Sequence, residues 1–138
     1  MAKFSAKDAV ITIDNSAGVA QTVSTDIISY DIQEDAGKVN VTGFSDGSEN
    51  YIPGLPIVGI TFDFLYDTHT TSGATTILRG ILNSNTSKTV TIKPESAGLT
   101  LTGEYMLDNL NTTATPNSEI KHGTAHFSVM GATKPTWA

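Results

Sequence analysis

Histidines and carboxylates are the residues of this chain best suited to chemistry, and their spacing decides what they can do. His122 and His126 stand four positions apart. On a helix that spacing would aim both imidazoles at one metal. Around them, however, Ala125, Phe127 and Val129 alternate with His122, Thr124, His126 and Ser128, which predicts a strand over Lys121 to Met130. On a strand the two rings lie about 13 Å apart, too far to share an ion. Asp63 and Asp67 fail as a carboxylate pair for the same reason, standing about 13 Å apart and beyond the separation glycosidases use. His69, at a strand-to-helix junction, reads as a turn residue. There is no phosphate-binding loop and no dinucleotide fingerprint. No cofactor or metal is expected, and no catalytic residue stands out. The sequons at Asn40, Asn85 and Asn111 read as chance matches in a threonine-rich chain.

Composition narrows the classes further. A chain of 138 residues suits one domain, spanning residues 1–138. It is long enough to bury a core of its own. With no cysteine there is no disulfide framework and no thiolate chemistry. No apolar run is long enough for a membrane-spanning helix, and no secretory signal is visible, so a soluble chain without a membrane partner is expected. The formal charge is −6, with a single arginine, Arg79. Tight nucleic-acid binding needs clustered basic residues that are missing here. The acidic excess concentrates between Asp26 and Asp67, where Lys38 is the one basic residue. It serves solubility, repulsion of a polyanion, or both.

The elements that position these residues are mostly strands. Ala9 to Asp14, Asp26 to Gln33, Lys38 to Thr42, Ile57 to Asp67, Thr89 to Lys93, Leu99 to Asp108 and Lys121 to Met130 all carry strand patterning. In the second, Ile28, Tyr30 and Ile32 share a face, and a turn at Asp35-Ala36-Gly37 makes a hairpin with Lys38 to Thr42. In the fourth, Val58, Ile60, Phe62, Phe64 and Tyr66 face the core. In the sixth, Leu99, Leu101, Tyr105 and Leu107 do. Gly73 to Ser84 instead brings Ile77, Leu78, Ile81 and Leu82 together at helical spacing. Thr71 or Ser72 could cap that helix, and Asn83 or Asn85 could end it. The fold expected is mainly β (α+β): an antiparallel β-sandwich or barrel with one short α-helix and a long loop from residue 43 to 56. A second exposed loop is expected over Asn111 to Glu119.

In order, the chain offers a polar arm at residues 1–7, a two-strand unit ending in Lys38-Val-Asn-Val-Thr42, and the acidic stretch Gly43-Phe-Ser-Asp-Gly-Ser-Glu-Asn50. Then come Gly54-Leu-Pro-Ile57, a long strand ending in Tyr66-Asp67, one helix and a strand-rich C-terminal half. This layout resembles the tail tube proteins (major tail proteins) of long-tailed bacteriophages, relatives of the type VI secretion tube protein. The resemblance implies a structural virion protein, made in the host cytoplasm, whose six-subunit rings stack into a hollow tail tube. The sheets of neighbouring subunits would join into one barrel around the bore, and DNA would pass through it without tight binding. Partners would be further copies of the chain and other tail proteins (tape measure, terminator and tip). An acidic bore would then draw on Asp31, Thr61, Asp63, Thr102, Glu104 and Asp108, unless these faces are simply solvated surface. Assembly contacts would come from the loop, through Phe44, Asp46, Glu49, Tyr51, Ile52 and Leu55, with the loop ordering only against a neighbour. Trp137, in the C-terminal tail 134–138, would either fill a partner's pocket or pack on its own domain. The competing class is a capsid-decoration or carbohydrate/receptor-binding module, with Phe44, Tyr51 and Trp137 stacking on a ligand.

Overall fold

The structure, a computed structural model, describes residues 8–67, 69, 73–95, 98–113, 122–131 and 133–138. The expected N-terminal arm, the capping residues Thr71 and Ser72, and residues 114–119 of the second loop lie outside them.

Strand β1 (Val10–Asp14) buries Ile11 and Ile13 and turns back into β2 (Ala20–Thr22). Asn15 makes this turn: its side-chain oxygen accepts from the N–H groups of Ala17 and Val19, and Gly18 takes φ of 79°. A single 3-10 turn, Ser24–Asp26, leads into β3 (Ile27–Asp35). Next come β4 (Lys38–Asn40), β5 (Tyr51–Pro53), β6 (Ile57–Leu65), helix α1 (Ala74–Ile81), β7 (Lys88–Lys93), β8 (Leu101–Thr113), β9 (His122–Val129) and β10 (Thr136–Trp137). The main sheet is antiparallel, in the order β2-β1-β7-β8-β9-β6-β3, with β10 also paired to β8.

The thirteen-residue β8 divides this sheet into two sectors. Its first part pairs with β7 from Leu101 to Tyr105 and with β10 at Leu101 and Thr102. From Tyr105 to Thr113 it pairs with β9, with a register shift between Leu107 and Asn109. Such a bulge bends a strand and increases its twist. One sector is thus β2-β1-β7-β8-β10, and the other is β8-β9-β6-β3. Their inner faces and α1 enclose one core that includes Ile60, Phe62, Phe64, Leu78, Tyr105 and Phe127. Phe62 and Phe127 meet edge to face, with centroids 5.7 Å apart and planes at 81°.

Helix α1 presents Ile77, Leu78 and Ile81 to this core, as its spacing predicts. Its N-terminus is tied down from afar: the Ala74 N–H donates to Asp26 Oδ2 at 3.1 Å. Asn83, at φ 63°, takes the left-handed conformation just past the helix.

Several expectations need correction. The hairpin of Asp26–Gln33 with Lys38–Thr42 does not form. β3 pairs with β6, and β4 pairs with β5 in a separate ribbon. The longer β6, with its buried alternate residues, offers β3 a full-length partner, and the backbone at Gly37 instead closes on Leu55 so tightly that a Cβ there would strike the Leu55 carbonyl oxygen. Within residues 43–56 only Tyr51–Pro53 form a strand, and the rest is loop. Beyond β5, Val41 N–H bonds to the Asn50 carbonyl at 2.9 Å and Asn50 N–H to Thr42 Oγ1 at 2.8 Å, so the ribbon is ordered within one chain. A register shift between Ile27 and Ser29 turns Ile28 outward and packs Ile27 on the core in its place. Leu99 precedes β8 and is 61% exposed. β8 extends to Thr113, so the expected second loop starts as strand.

Two substitutions test the core. Phe127→Ala should lower the unfolding free energy by about 3–5 kcal/mol in denaturant titration, through lost contacts and a cavity. The Tyr105 hydroxyl is buried without a hydrogen-bond partner among the described residues, and burial pushes its pKa up to about 12. An unsatisfied buried hydroxyl costs roughly 1–3 kcal/mol, so Tyr105→Phe should hold or raise stability in the same assay.

Candidate functional site

The outer, polar face of β8-β9-β6-β3 carries most of the residues singled out for the bore. Register places Asp31 beside Thr61 and Thr61 beside His126. The next rank brings Ser29, Asp63, Thr124 and Asn111 side by side. Asp63 is held from both flanks: Ser29 Oγ donates at 2.9 Å and Thr124 Oγ1 at 3.1 Å.

Asp108, beside the β8 bulge, joins this face. Its Oδ1 lies 2.7 Å from His126 Nδ1, and its Oδ2 accepts from Ser128 Oγ. Partial burial alone would raise its pKa. The hydrogen bonds from Ser128 and His126 outweigh that and hold the carboxyl below its ordinary value of 3.8. Histidine, aspartate and serine are all present, yet this is no nucleophilic relay. Serine and histidine both bond the carboxylate, so the ring has no grip on the hydroxyl it would need to deprotonate. Among the described residues no group of three or more histidine, cysteine, aspartate or glutamate side chains is arranged to hold a metal.

Thr102 and Glu104 occupy the other sector. Glu104 accepts from Ser87 at 3.0 Å and Thr89 at 2.5 Å. Thr102 belongs to a register row that runs Thr22, Thr12, Thr91, Thr102 and Thr136 across β2, β1, β7, β8 and β10. Asp31, Thr61, Asp63 and Asp108 lie on the β8-β9-β6-β3 face, and Thr102 and Glu104 precede Asp108 on the same outward side of β8, in the part that pairs with β7. Alternation identifies the polar face of each strand, but it carries no information on which strands are neighbours.

The ribbon holds the other candidates. All residues from 38 to 53 are exposed. Phe44 stands fully exposed, and Leu55 is 87% exposed. Asp46 folds back to accept the Gly43 N–H at 2.7 Å, which lowers its pKa. Tyr51 lies under the Lys38 ammonium, 4.4 Å from the ring centroid, and its hydroxyl donates to Glu49 at 2.6 Å. Ile52 pairs with Val39. Trp137 sits on β10, where its indole N–H donates to Glu34 Oε1 at 2.6 Å. Two of the three aromatics proposed for ligand stacking are thus engaged within the chain.

Spacing along the chain also hid the contact of Asp26 with Asp67 at the start of α1. Burial raises the pKa of Asp26, against the Ala74 N–H that lowers it, and Asp67 raises it further. Asp67 is lowered by the His69 N–H and then by Asp26.

The sequence matches no protein family and no curated protein. Solved structures do match over nearly the whole chain. A chain from the tail of an empty gene transfer agent particle, a structure with C6 symmetry, aligns with a TM-score of 0.80 at 16% identity over 99% of both chains. The SPP1 tail tube aligns with a TM-score of 0.74 at 5% identity, over 98% of this chain and 78% of that one. A chain from the sheath–tube complex of an extracellular contractile injection system aligns at 0.70 and 11% identity, over 99% of this chain and 91% of that one. This chain has the tail-tube fold. At these identities the likeness is one of backbone architecture. The tail-tube fold here is mainly β with one short helix, as the patterning predicts.

The network around Asp108 makes a pH-dependent prediction. A depressed folded pKa contributes stability above the unfolded value of 3.8, and that contribution is lost as pH falls through the folded value. Asp108→Asn should therefore lower the melting temperature at neutral pH. The gap to the unsubstituted chain should close in acid below the ordinary carboxylate range.

Proposed function

We propose that the chain is a structural virion protein whose rings of six copies stack into a hollow tail tube. The observation that carries this reading is the pair of open edges on the β8-β9-β6-β3 sector. β3 ends the sheet, so its outer edge is unpaired by the described strands. The edge of β8 from Met106 to Thr113 opposite β9 is likewise unpaired by the described strands, because β7 stops at Tyr105. Neither stretch contains proline or lysine, the usual guards of an exposed edge. An edge at each side of one sector fits head-to-tail pairing, which closes into a ring when the rotation per subunit allows. The C6 symmetry of the similar gene transfer agent tail supports six copies.

In such a ring the four-stranded sectors form a continuous wall, with Asp31, Thr61, Asp63 and Asp108 on its polar face. Turned toward the bore, these carboxylates repeat around each ring and repel DNA phosphates, so the genome slides without adhering. Thr102 and Glu104 continue the outward side of β8 into the part that pairs with β7. The ribbon and the other tail components would make the axial contacts.

The double substitution Asp31→Lys with Asp63→Lys tests the bore. Both side chains are exposed, so folding and tube formation should persist. DNA delivery by particles carrying such tubes should slow by roughly tenfold or more, the scale on which surface fields alter rates. Intact tubes with unchanged delivery would count against the lining.

A further inference from the structure

The β8-β9-β6-β3 sector keeps a regular ladder in its middle and loses it at its two sides. The central pair, β6 with β9, holds one register without a break from Gly59↔Ser128 to Leu65↔His122. The register shifts lie in the two edge strands, between Ile27 and Ser29 in β3 and between Leu107 and Asn109 in β8. Each leaves one residue, Ile28 or Asp108, without a partner across the ladder. Asp108 uses that freedom to reach His126 and Ser128. Ile28 has no polar atom to place, yet it is 57% exposed beside a groove that Ile11, Ile27 and Tyr30 also line. The core does not call for it, because Ile27 already packs there. What the extra residue does supply is shape: a bulge bends its strand and increases the local twist.

We propose that the bulge at Ile28, with the bulge at Asp108 facing it from the next copy, sets the turn between neighbouring subunits and thereby the number of copies in a ring. β3, β6, β9 and β8 pair antiparallel in succession, so β3 and β8 run in opposite directions. Rotation about a ring axis preserves those directions. The seam between copies is therefore antiparallel, the setting in which bulges occur. Six copies need a turn of about 60° per subunit. The unbroken β6–β9 ladder offers no bend toward that turn, and the two edge strands do. With a straight β3 edge the turn per subunit is smaller and closure takes a larger ring. The inference rests on the tube reading and deepens it by naming the residue that determines ring size.

Deleting Ile28 tests this directly. Ile27 stays opposite Phe64 and Ser29 opposite Asp63, so no core side chain is lost. The comparison variant Ile28→Asn keeps the extra residue and removes only the apolar side chain. Copies per ring are counted in end-on electron-microscopy averages of assembled tubes. The deletion should give rings of about seven copies or more, wider by roughly a sixth, since barrel diameter grows with strand number. Ile28→Asn should keep the ring size of the unsubstituted chain. A deletion that leaves ring size unchanged overturns the proposal, including where tubes then form at lower concentration, as expected of a bulge that only guards the edge. If the deletion variant does not fold, cryo-electron microscopy of unsubstituted tubes decides. The turn between adjacent strands should be larger at the β3–β8 seam than between β6 and β9, and an even spread overturns the proposal. Failure of the unsubstituted chain to form rings under any condition would overturn the tube reading as well.

Discussion

The register shift between Leu107 and Asn109 is the constraint on which the rest of the structure depends. A thirteen-residue strand that stayed straight would keep every neighbour in one flat sheet, with one face open to water. By shifting register, β8 serves two sets of partners, and the two sectors cover one core between them. Leu101, Tyr105 and Leu107 stay buried through the first part, and past the bulge Leu110 takes over the inward position. Because the β7 pairing ends at Tyr105, the Met106–Thr113 edge is unpaired by the described strands on that side. The bulge and the open edge both lie in β8, which places the requirement for folding and the proposed capacity for assembly in the same strand.

Side chains around that edge are fixed rather than loose. Asp63 is gripped by Ser29 and Thr124, and Asp108 by Ser128 and His126. Hydroxyl donors cross between neighbouring strands to reach these carboxylates, so the charges keep set positions on the face. In the proposed tube a repelling wall would benefit from this arrangement, since a carboxylate held in place by such donors cannot swing toward a passing cation. The other sector presents a row of threonines and a clasped Glu104, a hydrated face that suits exposure to solvent or to a neighbouring protein.

Much of this was legible in the residues because local patterning follows directly from packing. Val58, Ile60, Phe62 and Phe64 announced β6, and Ile77, Leu78 and Ile81 announced the helix, since each set has one face to bury. Pairing was less accessible. Alternation states which side of a strand is apolar but not which strand lies beside it, so β3 seemed paired with its chain neighbour when its partner is β6. The three-residue strands β2 and β5 and the two-residue β10 are too short to show a period. Ile28 and Asp108 sit beside register shifts, where strict alternation fails. The helix cap was hidden for another reason: Asp26 is 48 residues from Ala74, and local capping rules do not reach that far.

Cryo-electron microscopy of the purified protein over a concentration series tests the central claim most directly. The account predicts hollow tubes of stacked sixfold rings, with β3 of each subunit hydrogen-bonded to β8 of the next and with Asp31 and Asp63 facing the lumen. A monomer or small closed oligomer at every concentration would contradict it, as would tubes in which that carboxylate face points away from the bore.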